Sequence, residues 1–209
     1  MDLKSLIETH LDVPRLSKDL DELGHWARVW SVDQWSRRDM ATLWEACRGF
    51  RPVSLDDLVP PGTPPLVEVV HDGKNTLPAH THFQKRICRP SRSDPLGMLF
   101  GYNHQSLSAF SGPGYFVVRP SAEPGEVEFD YTLSPTEKPL DWPEIVPNRA
   151  RFGRFVYEGI VDVVRGLASH VCIGRLRKGS AWMDTWFVLV REDAAAKAKL
   201  DTALTGTPS

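Results

Sequence analysis

The feature that most constrains this chain is a change of hydrophobic period across a belt of prolines. Between Phe50 and Pro65, the residues Pro52, Pro60, Pro61, Pro64 and Pro65 force extended or turn geometry and stop any helix from continuing. Before the belt, apolar residues recur every three or four positions; beyond it they recur at every other position. Such a chain places helices first and a sheet afterwards. The expected fold class is α+β, with N-terminal helices packed on an antiparallel, barrel-like β-sheet. The boundaries follow the same signal: a helical segment over 1–50, a Pro-rich connection over 51–65, a barrel-like body over 66–193 and a tail over 194–209.

The helical half carries clear local signals. Leu3, Leu6, Ile7 and Leu11 form a short stripe before Pro14. The spacing of Leu20, Leu23, Ala27 and Trp30, with Trp26 and Val29 beside them, predicts one helix over about 17–30. Ser36 followed by Asp39 is a capping box with the shorter carboxylate, and Met40, Leu43, Trp44 and Cys47 then form a core stripe before Gly49.

Beyond the belt, Leu66 to Val70 is a β-branched run that stops at the turn-like pair Asp72 and Gly73. Further strands are expected over 83–89, 96–102, 115–119 and 126–133. In the last of these, Val127, Phe129, Tyr131 and Leu133 alternate with Glu126, Glu128, Asp130 and Thr132, which sets the carboxylates toward water. Residues 135–148 read as a loop crossing the surface. The segment 152–165 is open between two readings: Phe152, Val156, Ile160, Val163 and Leu167 fit a helix, whereas its β-branched residues and the helix-disfavouring Gly153, Gly159 and Gly166 lean to strand. A hairpin through Lys178, Gly179 and Ser180 then joins two closing strands.

Charge and cysteine usage narrow the function classes. With 25 basic and 27 acidic side chains, the net charge of −2 supplies no field for a phosphate backbone, so nucleic acid is not an expected partner. No stretch approaches the roughly 20 apolar residues of a membrane span, and the first residues lack a secretion signal, so a cytoplasmic protein is expected. Cys47, Cys88 and Cys172 are odd in number and widely spaced, which points to reduced, buried thiols.

Few residues group in a way that carries chemistry. His80 and His82, two apart on an extended segment, point to one side and can share a metal ion as in a cupin. A cupin places a Glu shortly afterwards; here Phe83, Gln84, Lys85 and Arg86 follow, and His80, His82, Gln84 and Arg86 share a polar face. His104 sits past a strand in a polar cluster, whereas His71 and His170 read as turn or edge residues. Glu158 and Asp162 share a face, and if that face is interior they need partners such as Arg154 or Arg165, or an upward pKa shift. Lys85, Arg86, Arg89 and Arg92 form a basic run that reads as a solvated face. No nucleophile motif surrounds Ser111, and Gly112 to Gly114 form a turn with no phosphate-cradle spacing.

The stretches Phe155 to Arg165, Val171 to Arg175 and Trp186 to Arg191 resemble the closing strands of lipocalin-like (calycin) barrels. That resemblance implies an antiparallel barrel whose mainly apolar lumen holds one small molecule, and it transfers no catalytic residue. The leading expectation is therefore a small, largely apolar ligand inside a barrel, oriented by His82, Tyr102, His104 and Asp162, with chemical conversion left open. A metal-dependent enzyme using His80, His82 and His104 is the second reading. The third is an interaction module in which Trp26, Trp30, Trp35 and Trp44 dock a partner or a second copy as a homodimer, although core packing is the simpler account of those residues. The sequence names no cofactor.

Overall fold

The computed structural model describes residues 3–9, 11–79, 81–92, 97–104, 113–146 and 159–193. Among these, α1 (Leu3–Glu8), α2 (Val13–Glu22), α3 (His25–Asp33), α4 (Arg37–Ala46) and the short α5 (Leu55–Leu58) precede eight strands. The strands are β1 (Val69–Asn75), β2 (His82–Cys88), β3 (Leu99–His104), β4 (Tyr115–Pro120), β5 (Glu126–Asp130), β6 (Ile160–Ala168), β7 (Val171–Lys178) and β8 (Ala181–Arg191). Each pairs antiparallel with its sequence neighbours, and β1 pairs with β8, so the sheet closes into a barrel. The expected α+β class, with helices packed on an antiparallel barrel, is the fold observed. No helix among the described residues is long and apolar enough to cross a membrane.

Two apolar clusters follow from strand parity. Val69, Ile87, Leu99, Val118, Val127 and Val164 are among the residues that fill the inside of the barrel. On the outside, Val163, Ile173, Val188 and Val190 meet Leu16, Leu20, Met40, Leu43 and Trp44 from the helices. The proline belt contributes to the inner cluster: Val53, Leu58 and Val59 are buried in it, and Val53 N–H bonds the Gly125 carbonyl at 2.9 Å. What reads in sequence as a connection is thus the floor of the barrel.

Local chemistry explains where the elements differ from expectation. The single helix expected over 17–30 is two, broken at Leu23 and Gly24, and the buried Arg28 donates to the Leu20 and Leu23 carbonyls left at the end of α2. The break turns Trp26 and Trp30 outward, 60% and 68% exposed, whereas Trp35 and Trp44 are core residues. The capping box of Ser36 and Asp39 forms as expected. Asp72 and Gly73 are not a turn, because β1 runs through them. Gly73, Gly101 and Gly174 stand directly across a hairpin from Phe83, Phe116 and Phe187, and a Cβ at any of them would overlap the facing ring.

Glu128 and Asp130 face outward as the alternation implies, yet both are buried beneath Arg119, 3.0 Å from each carboxylate, and Arg177, 2.8 Å from Glu128. The described part of the 152–165 segment is strand β6, and Gly179 with Ser180 makes the final two-residue turn. The stretch after β5 packs rather than merely crossing the surface: Trp142 is buried against Tyr102 and Tyr115 on the outside of β3 and β4.

Candidate functional site

Polar groups gather in two places, one inside the barrel and one outside it. Inside, Phe83, Lys85 and Ile87 of β2 share the inward face, so the period of two carries Lys85 into the core with its aromatic neighbour. The basic-run reading of Lys85 as a solvated cation is corrected: it is 1% exposed. Its Nζ donates to Asp162 at 2.8 Å, to the Tyr131 hydroxyl at 2.5 Å and to Asn103 Oδ1 at 3.2 Å, which engages all three N–H bonds. Asn103 Nδ2 donates to the Tyr131 hydroxyl at 2.8 Å, and that hydroxyl donates to Asp162 at 3.1 Å. Four phenylalanine rings surround the ammonium, those of Phe116 and Phe129 with centroids at 4.8 Å.

Burial pushes the Lys85 pKa down, and Asp162 opposes that shift. Asp162 is therefore interior, as the strand reading of 152–165 allows, but its partner is Lys85 and not an arginine. Arg165 lies on the outer side, bonded to Glu126 at 2.7 Å and to the Trp44 carbonyl at 2.6 Å. Arg154 and Glu158 lie outside the described residues.

Outside the barrel, the register aligns Asp72, Gln84 and His104 in one row across β1, β2 and β3, with Lys74 and His82 in the next row. This is the polar face expected of His82, Gln84 and Arg86; His80 lies outside the described residues. Helix α3 overhangs it with Val29, Val32 and Asp33, and the space between has a volume of about 420 Å³. It falls within the roughly 300–1,000 Å³ usual for small-molecule sites.

Two Asp–His pairs stitch helix to sheet. His25 Nε2 lies 3.0 Å from Asp72 Oδ2, and His82 Nε2 lies 2.5 Å from Asp33 Oδ1. Burial alone would raise the Asp72 pKa, but the hydrogen bonds from His25 and from Gln84 Nε2, the latter at 2.9 Å, bring it below the usual carboxylate value. Lys74 Nζ donates to the carbonyls of Asp33 and Trp35. His104 makes no hydrogen bond with the described residues, and partial burial followed by the charge of Arg86 lowers its pKa, so it presents a neutral imidazole to the groove.

The structure thus separates the four expected ligand-orienting residues. His82 and His104 line the groove; Tyr102 is buried beside His104, ring centroids 6.2 Å apart, beneath Trp142; Asp162 is inside the barrel. Sequence reasoning missed His25, Asp33, Asp72 and Lys74, none of which carries a local signal, and it missed Lys85, whose signal was its parity with Phe83 and Ile87. For the metal reading, no three His, Cys, Asp or Glu among the described residues stand close enough to share an ion. Burial pushes Cys47, Cys88 and Cys172 up to about 12, so none is a thiolate nucleophile near neutral pH.

A second cavity, of about 10 Å³, lies at the floor end between the proline belt and the strands. His71 and His170 border it, and His71 is buried, 1% exposed. Burial and then Arg191 lower the His71 pKa to about 3. No family model, curated protein or solved structure matches this chain.

Proposed function

We propose that the protein binds a small molecule, and that it does so in the groove between α3 and the outer face of β1–β3 rather than in the barrel lumen. The observation that carries this reading is the coincidence of about 420 Å³ of space with a polar floor that includes His104, an imidazole that makes no hydrogen bond among the described residues. The lumen offers no comparable combination among the described residues, since aromatic rings and the Lys85 knot occupy it. Lipocalin-like ligand holding is thereby displaced from the inside of the barrel to its outside. A ligand there touches helix and sheet together and adds to the Asp–His ties between them.

Screening a fragment library by chemical-shift mapping on the full chain tests the site. The expected perturbations fall on His82, Gln84 and His104 and disappear in Gln84→Trp, which fills the groove. Perturbations confined to Lys85, Tyr131 and Asp162 would return the ligand to the lumen and end this proposal.

A further inference from the structure

The polar knot inside the barrel holds the parts of a covalent reaction, independently of the groove. We infer that Lys85 is a modification site: its amine condenses with the side-chain amide of Asn103, releasing ammonia and leaving an amide cross-link between β2 and β3. Lys85 and Asn103 are direct partners in the β2–β3 register and both are buried, so the paired strands themselves hold amine against amide. Nζ lies 3.2 Å from Asn103 Oδ1, and a C=O bond is about 1.2 Å long, so the carbonyl carbon is at most about 4.4 Å away, roughly 1 Å beyond a near-attack distance. The structure shows the four side chains before reaction.

Asp162 and Tyr131 supply the proton transfers. Asp162 Oδ2, 2.8 Å from Nζ, is the acceptor that turns the ammonium into a nucleophilic amine, and burial, the dominant influence on Lys85, favours that neutral form. The Tyr131 hydroxyl stands between Asp162, at 3.1 Å, and Asn103 Nδ2, at 2.8 Å, where it relays a proton to the departing nitrogen. No co-reactant is needed. Nζ gives one proton to Asp162 and attacks the amide carbon of Asn103. As the tetrahedral carbon collapses, its bond to Nδ2 breaks, and that nitrogen takes a proton from Asp162 through Tyr131. The second proton shed by Nζ then rests on Asp162. One N–C bond has formed and one has broken, nothing is oxidised or reduced, and ammonia is the leaving group. A neutral amide and a neutral carboxylic acid thus replace an ion pair walled by the rings of Phe116 and Phe129, which removes the cost of keeping two charges from water. Lys85, Asn103, Tyr131 and Asp162 are each 8% exposed or less, so bulk water is kept from the intermediate.

Intact mass spectrometry of the full chain, denatured after storage in the folded state, tests the cross-link. The expected product is lighter than the sequence mass by one ammonia, accumulates with storage and is absent from protein kept in urea. In its tryptic digest, cleavage after Lys85 fails and one branched peptide carries both Lys85 and Asn103. Tyr131→Phe should slow its appearance at least tenfold and Asp162→Asn should abolish it, with circular dichroism checking that each variant folds. The parent chain decides the matter even where a variant does not fold. A folded parent that keeps its full sequence mass overturns the inference, and so does a loss of ammonia mapped to a linear peptide, the mark of a cyclised asparagine. Loss of one water with Lys85 joined to Asp162 would also overturn it, because the partner would then be the carboxylate and not the amide.

Discussion

The lumen and the groove of this barrel hold similar polar groups and differ in what those groups have left to offer. Inside, an ammonium, a carboxylate, a phenol and an amide satisfy one another completely, walled by aromatic rings. Outside, two carboxylates and two imidazoles line an open space, and one of these imidazoles, His104, makes no hydrogen bond among the described residues. Buried charge by itself therefore marks a structural knot; room together with unused hydrogen-bonding capacity marks a candidate site.

Four measurements break or sharpen that contrast. The largest effect is expected from Lys85→Met, which leaves Asp162 buried without its cation and should lower unfolding stability in urea by about 3–5 kcal/mol. The double variant Lys85→Met/Asp162→Leu should recover most of that loss, and a single-variant loss below about 1 kcal/mol would show that the knot is not structural. Next, Gly174→Ala forces a methyl group into the Phe187 ring and should cost about 1–3 kcal/mol, whereas a tolerated substitution would mean that the lumen has slack.

Third, acid acts through His71, whose pKa of about 3 lies below its unfolded value. A depressed histidine contributes stability that is complete above its unfolded pKa and is lost as pH falls through the window down to the folded value. Between pH 7 and pH 5 this group alone should remove about 2 kcal/mol, and His71→Leu should flatten that slope; an unchanged slope would place the acid sensitivity elsewhere. The smallest effect is expected in the groove. His82→Ala breaks an exposed pair with Asp33 and should change stability by less than about 1 kcal/mol while abolishing ligand-induced shifts at Gln84. A large destabilisation would make the Asp33–His82 tie part of the scaffold.

The sequence made the fold more legible than the site, for reasons visible in particular residues. Periodicity is a local signal, so the switch at the proline belt, the Ser36 capping box and the alternation around Phe129 all read correctly. Gly73 misled, because glycine marks turns in sequence, while its role here is to leave room for a ring on the neighbouring strand. Gly24 ended a helix that the apolar spacing alone would have carried through. The groove was half legible: the parity of His82, Gln84 and Arg86 disclosed a polar face, but nothing local says that Asp33 meets His82 forty-nine positions later. Lys85 and Asp162 meet across 77 positions, and only their inward parity hinted at it.

The helices α1–α4 bury their apolar sides on the outside of β6, β7 and β8, the final strands in chain order. During synthesis, this helical segment leaves the ribosome ahead of the strands it docks on and therefore has no docking surface until β8 has emerged. Its Leu, Met and Trp side chains stay uncovered through the making of seven hairpin connections, the interval in which a nascent chain is most prone to aggregate and most dependent on chaperones.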